Sequence, residues 1–159
     1  SEYSKYVGTR TDLWFINAKN IRTRSPEIIK MMDNVKYEKI LVEQNPYDPK
    51  NKLLKYFPEL KKNEKVDFCD IELFNEIQNK HFNPHGMNPH PSLGLQGINL
   101  IANKYPDYQI YITGFDSFNS DKIHYMDKIG VNDTHVKHNL DKEVKFLEHL
   151  VKKYNIKKI

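Results

Sequence analysis

The chain has 159 residues, 38% of them apolar, which is enough to close the core of one domain, and its mean hydropathy of −0.75 leaves no stretch for a membrane span. The net charge of +4 arises from 25 basic and 21 acidic residues, with the excess spread over Lys61-Lys62, Lys152-Lys153 and Lys157-Lys158. That scatter describes solvated faces rather than the basic stripe of a nucleic-acid binder, and it leaves an anionic substrate or a nucleotide open. Cys69 has no second cysteine to pair with, so nothing requires an oxidising compartment, and it reads as a small core residue.

The opening residues Ser1 to Tyr6 have neither the basic n-region nor the apolar h-region of a signal peptide. Asp12 to Asn17 is a short apolar run rich in aromatic residues and predicts a buried strand. Ser25-Pro26-Glu27 then predicts a helix start, with Ser as N-cap and Pro at the first helical position, followed by Ile28, Ile29, Met31 and Met32. Lys39 to Glu43 predicts a second buried strand, and the two prolines of Asn45-Pro46-Tyr47-Asp48-Pro49 make the next residues a loop. Leu53, Leu54 and Phe57 predict a brief helix that ends before Pro58, and Val66 to Asp70 a third strand.

Ile71, Leu73, Phe74 and Ile77 predict a helix running into a loop from His81 to Pro91, and helical spacing resumes at Leu95, Ile98, Ala102 and Tyr105 before Pro106. Residues 109 to 113 alternate too little for a surface strand and are expected at the centre of the sheet. Residues 116 to 138 are polar and irregular, a pattern expected of a functional loop. In the last helix Leu140, Val144, Leu147, Val151 and Tyr154 form the apolar stripe, with Asp141 and Glu143 early and Lys152-Lys153 late, an order that complements the helix dipole. Asn155 to Ile159 would begin another strand. The β-α alternation predicts an α/β fold with a mostly parallel sheet and helices on its faces, forming a single domain over residues 1–159.

Function is expected where Asn88-Pro89-His90-Pro91-Ser92-Leu93-Gly94-Leu95 joins a Pro-rich loop to a helix, followed by the strand Gln109 to Thr113 and then Gly114-Phe115-Asp116. Backbone N–H groups at a helix N-terminus bind phosphate oxygens without a cation, and the carboxyl end of a parallel strand brings polar side chains to the same crevice. Ser92 equally suits a plain N-cap, and Gly114-Phe115-Asp116 a strand end leading into an Asx-turn. His124-Tyr125 and the segment from His138 to Glu143 supply candidate acid–base groups. His81, His85 and His90 invite a metal reading, but Pro84, Gly86 and Pro89 interrupt them and no carboxylate or cysteine completes a set nearby, so no metal site is expected.

Taken in order, Tyr6-Val7-Gly8-Thr9-Arg10-Thr11, Pro91-Ser92-Leu93-Gly94 with Gly114-Phe115-Asp116, His124-Tyr125, and His138 with Glu143 resemble the sialyltransferase motifs of glycosyltransferase family 29. They resemble the end of the large motif, the small motif, the third motif and the very small H-x4-E motif. Similarity to the bacterial sialyltransferases of family 42 is weaker and covers Tyr6-Val7-Gly8, the Ser-x-Gly turn and the helix after His138. The resemblance touches most of the chain except residues 18 to 80. It implies a Rossmann-like, mostly parallel sheet with helices on both faces, a sialyltransferase variant of the GT-A type. The family's Gly-Asn-rich nucleotide-binding turn has no counterpart before Tyr6, so the first βα unit is expected to be missing and the catalytic domain N-terminally incomplete. Leu93 stands where the small motif usually carries Thr, and the cysteines that link the motifs in animal enzymes are absent, which fits a microbial or viral relative and a cytoplasmic location.

What the resemblance implies is inverting transfer of sialic acid from a CMP-sugar donor to a glycan acceptor hydroxyl, with no cofactor or metal ion. By that resemblance His138 is the general base, His124 or Tyr125 donates to the departing phosphate, Ser92, Leu93 and Gly94 hold the nucleotide, and Asp116 borders the pocket. Glu143 is expected to orient its loop, and Arg10 has no assigned role. Nucleotide sugar and glycan are the expected partners, without nucleic acid. The competing expectation is a non-catalytic remnant of the same fold that binds a nucleotide or an anionic glycan.

Overall fold

A computed structural model describes residues 12–23, 25–34, 38–85, 89–113 and 139–159, which fall in two compact units, Ser1–Glu72 and Leu73–Ile159. In the first unit β1 (Leu13–Ile16), β2 (Lys39–Val42) and β3 (Val66–Phe68) form a parallel sheet in that order, with Trp14 opposite Ile40 and Ile40 opposite Val66. Parallel neighbours require helical crossovers. Here α1 (Ala18–Thr23) and α2 (Ser25–Asn34) join β1 to β2, and α3 (Lys50–Tyr56) with a 3₁₀ turn (Pro58–Lys61) joins β2 to β3. Ile40 and Val42 are fully buried in a core with Ile16, Ala18, Ile21, Met32, Leu53 and Leu60. Each such Ile or Leu contributes on the order of 2 kcal/mol by leaving water.

The three strands, α2, α3 and the loop between β2 and α3 coincide with the expected elements. The short helix α1 was not expected, because its six residues carry only Ala18 and Ile21 as an apolar signal. It starts from Asn17, whose side chain accepts the Lys19 N–H at 2.7 Å while its carbonyl accepts the Asn20 N–H at 3.0 Å. Asn is a good helix starter because its short acceptor reaches these otherwise unpaired amides.

The second unit holds most of α4 (Ile71–Ile77), a π-helical turn (Gln78–Phe82), α5 (Leu93–Lys104), β4 (Ile110–Ile112), α6 (Leu140–Lys153) and β5 (Ile156–Lys158). Helices α5 and α6 pack together over Ile77, Phe82, Leu95, Ile98, Ala102, Phe146, Leu147 and Leu150, with Ile112 and Ile156 beneath them. The buried stripe of α6 is centred on Glu143, Phe146, Leu147 and Leu150. Val151 and Tyr154, expected in the stripe, are partly buried and pack against that core. Strand β4 pairs in parallel with β5, the expected terminal strand, and among the described residues with no other. Tyr111 is 60% exposed, so one face of β4 is open where full burial was expected.

Every ladder among the described residues is parallel and helices connect the strands. The fold is therefore mixed α/β and Rossmann-like. No described helix is long and apolar enough to cross a membrane.

Candidate functional site

The site is built from the loop before α5 and the first turn of α6. The π-turn begins the positioning: the Gln78 side-chain amide is buried and donates to the carbonyls of Asn83 at 3.1 Å and Pro89 at 3.0 Å. From the other side Gln96, also buried, donates to the Pro91 carbonyl at 3.1 Å. Pro91 is itself fully buried. Two amide side chains thus fix the backbone of 89–91 and set the position at which Ser92 starts the helix. A backbone carbonyl taken from water needs such a donor, and leaving one unpaired costs about 1–3 kcal/mol.

Ser92 is the N-cap of α5, and its hydroxyl oxygen accepts the Leu95 N–H at 3.4 Å. The same hydroxyl donates to Glu143 Oε2 at 2.8 Å, and the Ser92 backbone N–H donates to Glu143 Oε1 at 2.7 Å. Glu143 lies in the first turns of α6, whose N-cap Asn139 accepts the Lys142 N–H at 3.0 Å. The Lys142 ammonium donates in turn to the Phe82 carbonyl at the end of the π-turn. A single carboxylate, 3% exposed, therefore ties the N-terminus of α5 to that of α6. Both helix dipoles have their positive ends there.

Since both protons of Ser92 go to Glu143, the anion-binding capacity of this turn resides in the N–H groups of Leu93 and Gly94. As the first two helical residues they have no intrahelical acceptor. Both residues are half-buried, and the Gly94 position has no side chain to obstruct a close approach.

Of the residues expected in the site, Ser92, Leu93 and Gly94 stand at this turn, with Glu143 bonded to the first of them. His138, His124, Tyr125, Asp116 and Arg10 lie outside the described residues. His138 directly precedes the N-cap Asn139 in the chain. Among the described residues no group of three or more His, Cys, Asp or Glu side chains is arranged to hold a metal ion. His81 packs its ring, tilted, against Phe146 with ring centroids 4.6 Å apart and against His149 at 5.0 Å. Burial, then the neighbouring His149 and Lys80, lower its pKa below the usual value.

The family model for glycosyltransferase family 29 (sialyltransferase) matches residues 1–155. The chain belongs to glycosyltransferase family 29. No curated protein and no solved structure matches it. Membership assigns sialyltransferase-type glycosyl transfer, with a nucleotide sugar and a glycan acceptor as the substrate classes. In this family 29 chain Ser92 and Glu143 are thus direct partners, separated by 51 residues in sequence. Gln78 and Gln96, which pin the loop, were not singled out from the sequence. Their signal was present: each is a polar residue adjoining the apolar stripe of its helix, beside Ile77 and Leu95.

Proposed function

We propose that the chain is an inverting, metal-independent sialyltransferase that uses a CMP-sugar donor and a glycan acceptor hydroxyl. The observation that carries this reading is the double hydrogen bond from Ser92 to Glu143, at 2.7 and 2.8 Å, which joins two motif segments at two helix N-termini. Phosphate charge that grows as the donor bond breaks is best met by fixed N–H dipoles, which need no reorganisation during the reaction. The amides of Leu93 and Gly94 suit that role, and Ser92 serves as the anchor that aims them.

In this reaction His138 takes the proton of the acceptor hydroxyl as its oxygen attacks the anomeric carbon from the face opposite the nucleotide. The glycosidic bond to the phosphate breaks with its electron pair, CMP departs, and His124 or Tyr125 donates to the departing phosphate. A histidine just before a helix N-terminus is held toward its neutral form by the positive end of the dipole, and only the neutral form accepts a proton. In sequence His138 directly precedes Asn139, the N-cap of the helix that grips Ser92. Asp116 borders the pocket in this reading.

The test is hydrolysis of CMP-sialic acid by the intact chain and by His138→Ala. A general base contributes at least about 10²-fold, so turnover should fall by that factor with donor binding retained. Unchanged turnover removes His138 from the mechanism, and no CMP binding by the intact chain removes the donor assignment.

A further inference from the structure

In the first unit the loop between β2 and α3 is fastened at nearly every residue. Gln44 donates to the Cys69 carbonyl beyond β3, and its side-chain oxygen accepts the Lys50 N–H at 2.8 Å. Asn45 accepts the N–H groups of Tyr47 and Asp48, each at 3.0 Å, and its own carbonyl accepts the Asp48 N–H at 3.1 Å. The Asp48 carboxylate is buried and pairs with Arg22 of α1 at 2.9 Å and Lys52 of α3 at 3.4 Å. Lys52 also donates to the Tyr47 carbonyl at 2.5 Å.

All this restraint surrounds a side chain that itself lies in water. Tyr47 is 62% exposed. Burying Asp48, Asn45 and Glu43 in one loop is expensive compared with apolar residues, and such networks yield rigidity rather than net stability. The loop leaves β2 at its carboxyl end, as do the start of α1 after β1 and Cys69 after β3, and that edge is where open parallel sheets present residues to ligands. Tyr56 is the contrast: it is 60% exposed as well, but it stands at the end of α3 rather than in the loop that follows β2.

We propose that Tyr47 is a binding platform on which a sugar ring of the glycan acceptor stacks, with Lys52 and Arg22 beside it as hydrogen-bond donors to the ring hydroxyls. A phenol ring offers a flat apolar face to the C–H side of a pyranose, and its rigidly held backbone lowers the entropy lost when the sugar docks. Arg22 and Lys52 are each about half exposed, at 45% and 44%, so both have N–H groups left over from Asp48. Naming a sugar as the ligand rests on the glycosyl-transfer reading; a ligand-presenting role for the loop does not.

Saturation-transfer NMR on the intact chain tests this with methyl β-galactoside, methyl β-glucoside and methyl α-mannoside as probes, and with CMP in the same samples. Tyr47→Ala should weaken the best-bound glycoside about three- to tenfold, while Tyr47→Phe and the control Tyr56→Ala leave it unchanged. Thermal melts of all variants should coincide. An unchanged glycoside response in Tyr47→Ala, or no response to any of the three in the unmodified chain, overturns the platform. The CMP signal separates the two readings: CMP binding without glycoside binding sinks Tyr47 alone, and absence of CMP binding counts against the transferase.

Discussion

The two units hold their loops with different mixes of partners. The first puts charge beside charge: Asp48 between Arg22 and Lys52, with Glu43 and Asp67 near Cys69. The second relies more on neutral donors, Gln78 and Gln96 on backbone carbonyls and Ser92 on the carboxylate of Glu143, with Lys142 as a charged donor to the Phe82 carbonyl. The difference matters because the cations of the first unit are half in water, where Coulomb attraction is weak and screened, whereas the Ser92 bonds end on a carboxylate that is only 3% exposed. A hydrogen bond to a charged acceptor is worth about 1.5–3 kcal/mol, more than a half-exposed ion pair.

The charged character of the first unit is sharpest at Cys69. Burial, reinforced by the negative charges of Glu43 and Asp67, pushes its thiol up to about 12. At pH 8 the folded chain should hold about 10³-fold less thiolate than an ordinary cysteine, so alkylation by iodoacetamide should be slower by roughly that factor until the unit is unfolded in urea. Equal rates in native and unfolded protein would show that the field described for this edge is absent.

Next in size is the anchor of the second unit. Glu143→Ala strips the Ser92 N–H and hydroxyl of their acceptor and should destabilise the protein by about 2–4 kcal/mol, with Glu143→Gln costing about half of that because one acceptor remains. Asp48→Asn should cost only about 1 kcal/mol, since both cations are solvated, and that cost should shrink in 1 M salt. Urea denaturation at low and high salt reads all three variants. The contrast between the units breaks if Asp48→Asn proves as costly as Glu143→Ala, or if salt changes the Glu143→Ala penalty equally.

Much of this arrangement was legible in the residues. Short continuous apolar runs such as the one within Lys39 to Glu43 fit buried strands of a parallel sheet, and Pro58 and Pro106 mark helix ends because proline cannot supply the next N–H. Ser92 was readable as a cap for the same local reason. Long-range partners were not readable: nothing in sequence says that Glu143 reaches a serine 51 residues earlier, because periodicity describes the face of a helix and not its neighbour. The same limit shifted the buried stripe of α6, where Phe146 and Leu150 displaced Val144 and Val151 once the packing against α5 was fixed. It also left the loop at Asn45 to Asp48 as a mere turn, although its value lies in contacts to Arg22 and Cys69 on other elements.

The smallest effect concerns a titration in the second unit. His81 sits in the π-turn against Phe146 and His149, with Lys80, Glu76 and Lys153 also around it. Burial is the main cause of its lowered pKa, followed by His149 and Lys80, with Lys153 adding to them and Glu76 opposing. The unfolded chain takes up a proton near the ordinary value of 6.5, and the folded chain resists it until a lower pH. Stability contributed by neutral His81 is therefore complete above that value, declines as pH falls from it toward the folded pKa, and declines no further once both states are protonated. Melting temperatures between pH 8 and 5 should show this acid-side fall, and His81→Gln should flatten it. His149→Gln should reduce the fall but leave part of it, because removing the neighbouring imidazole relieves repulsion without exposing the His81 ring to water. If His149→Gln abolished the fall outright, repulsion rather than burial would govern His81, and the second unit would depend on charge as much as the first.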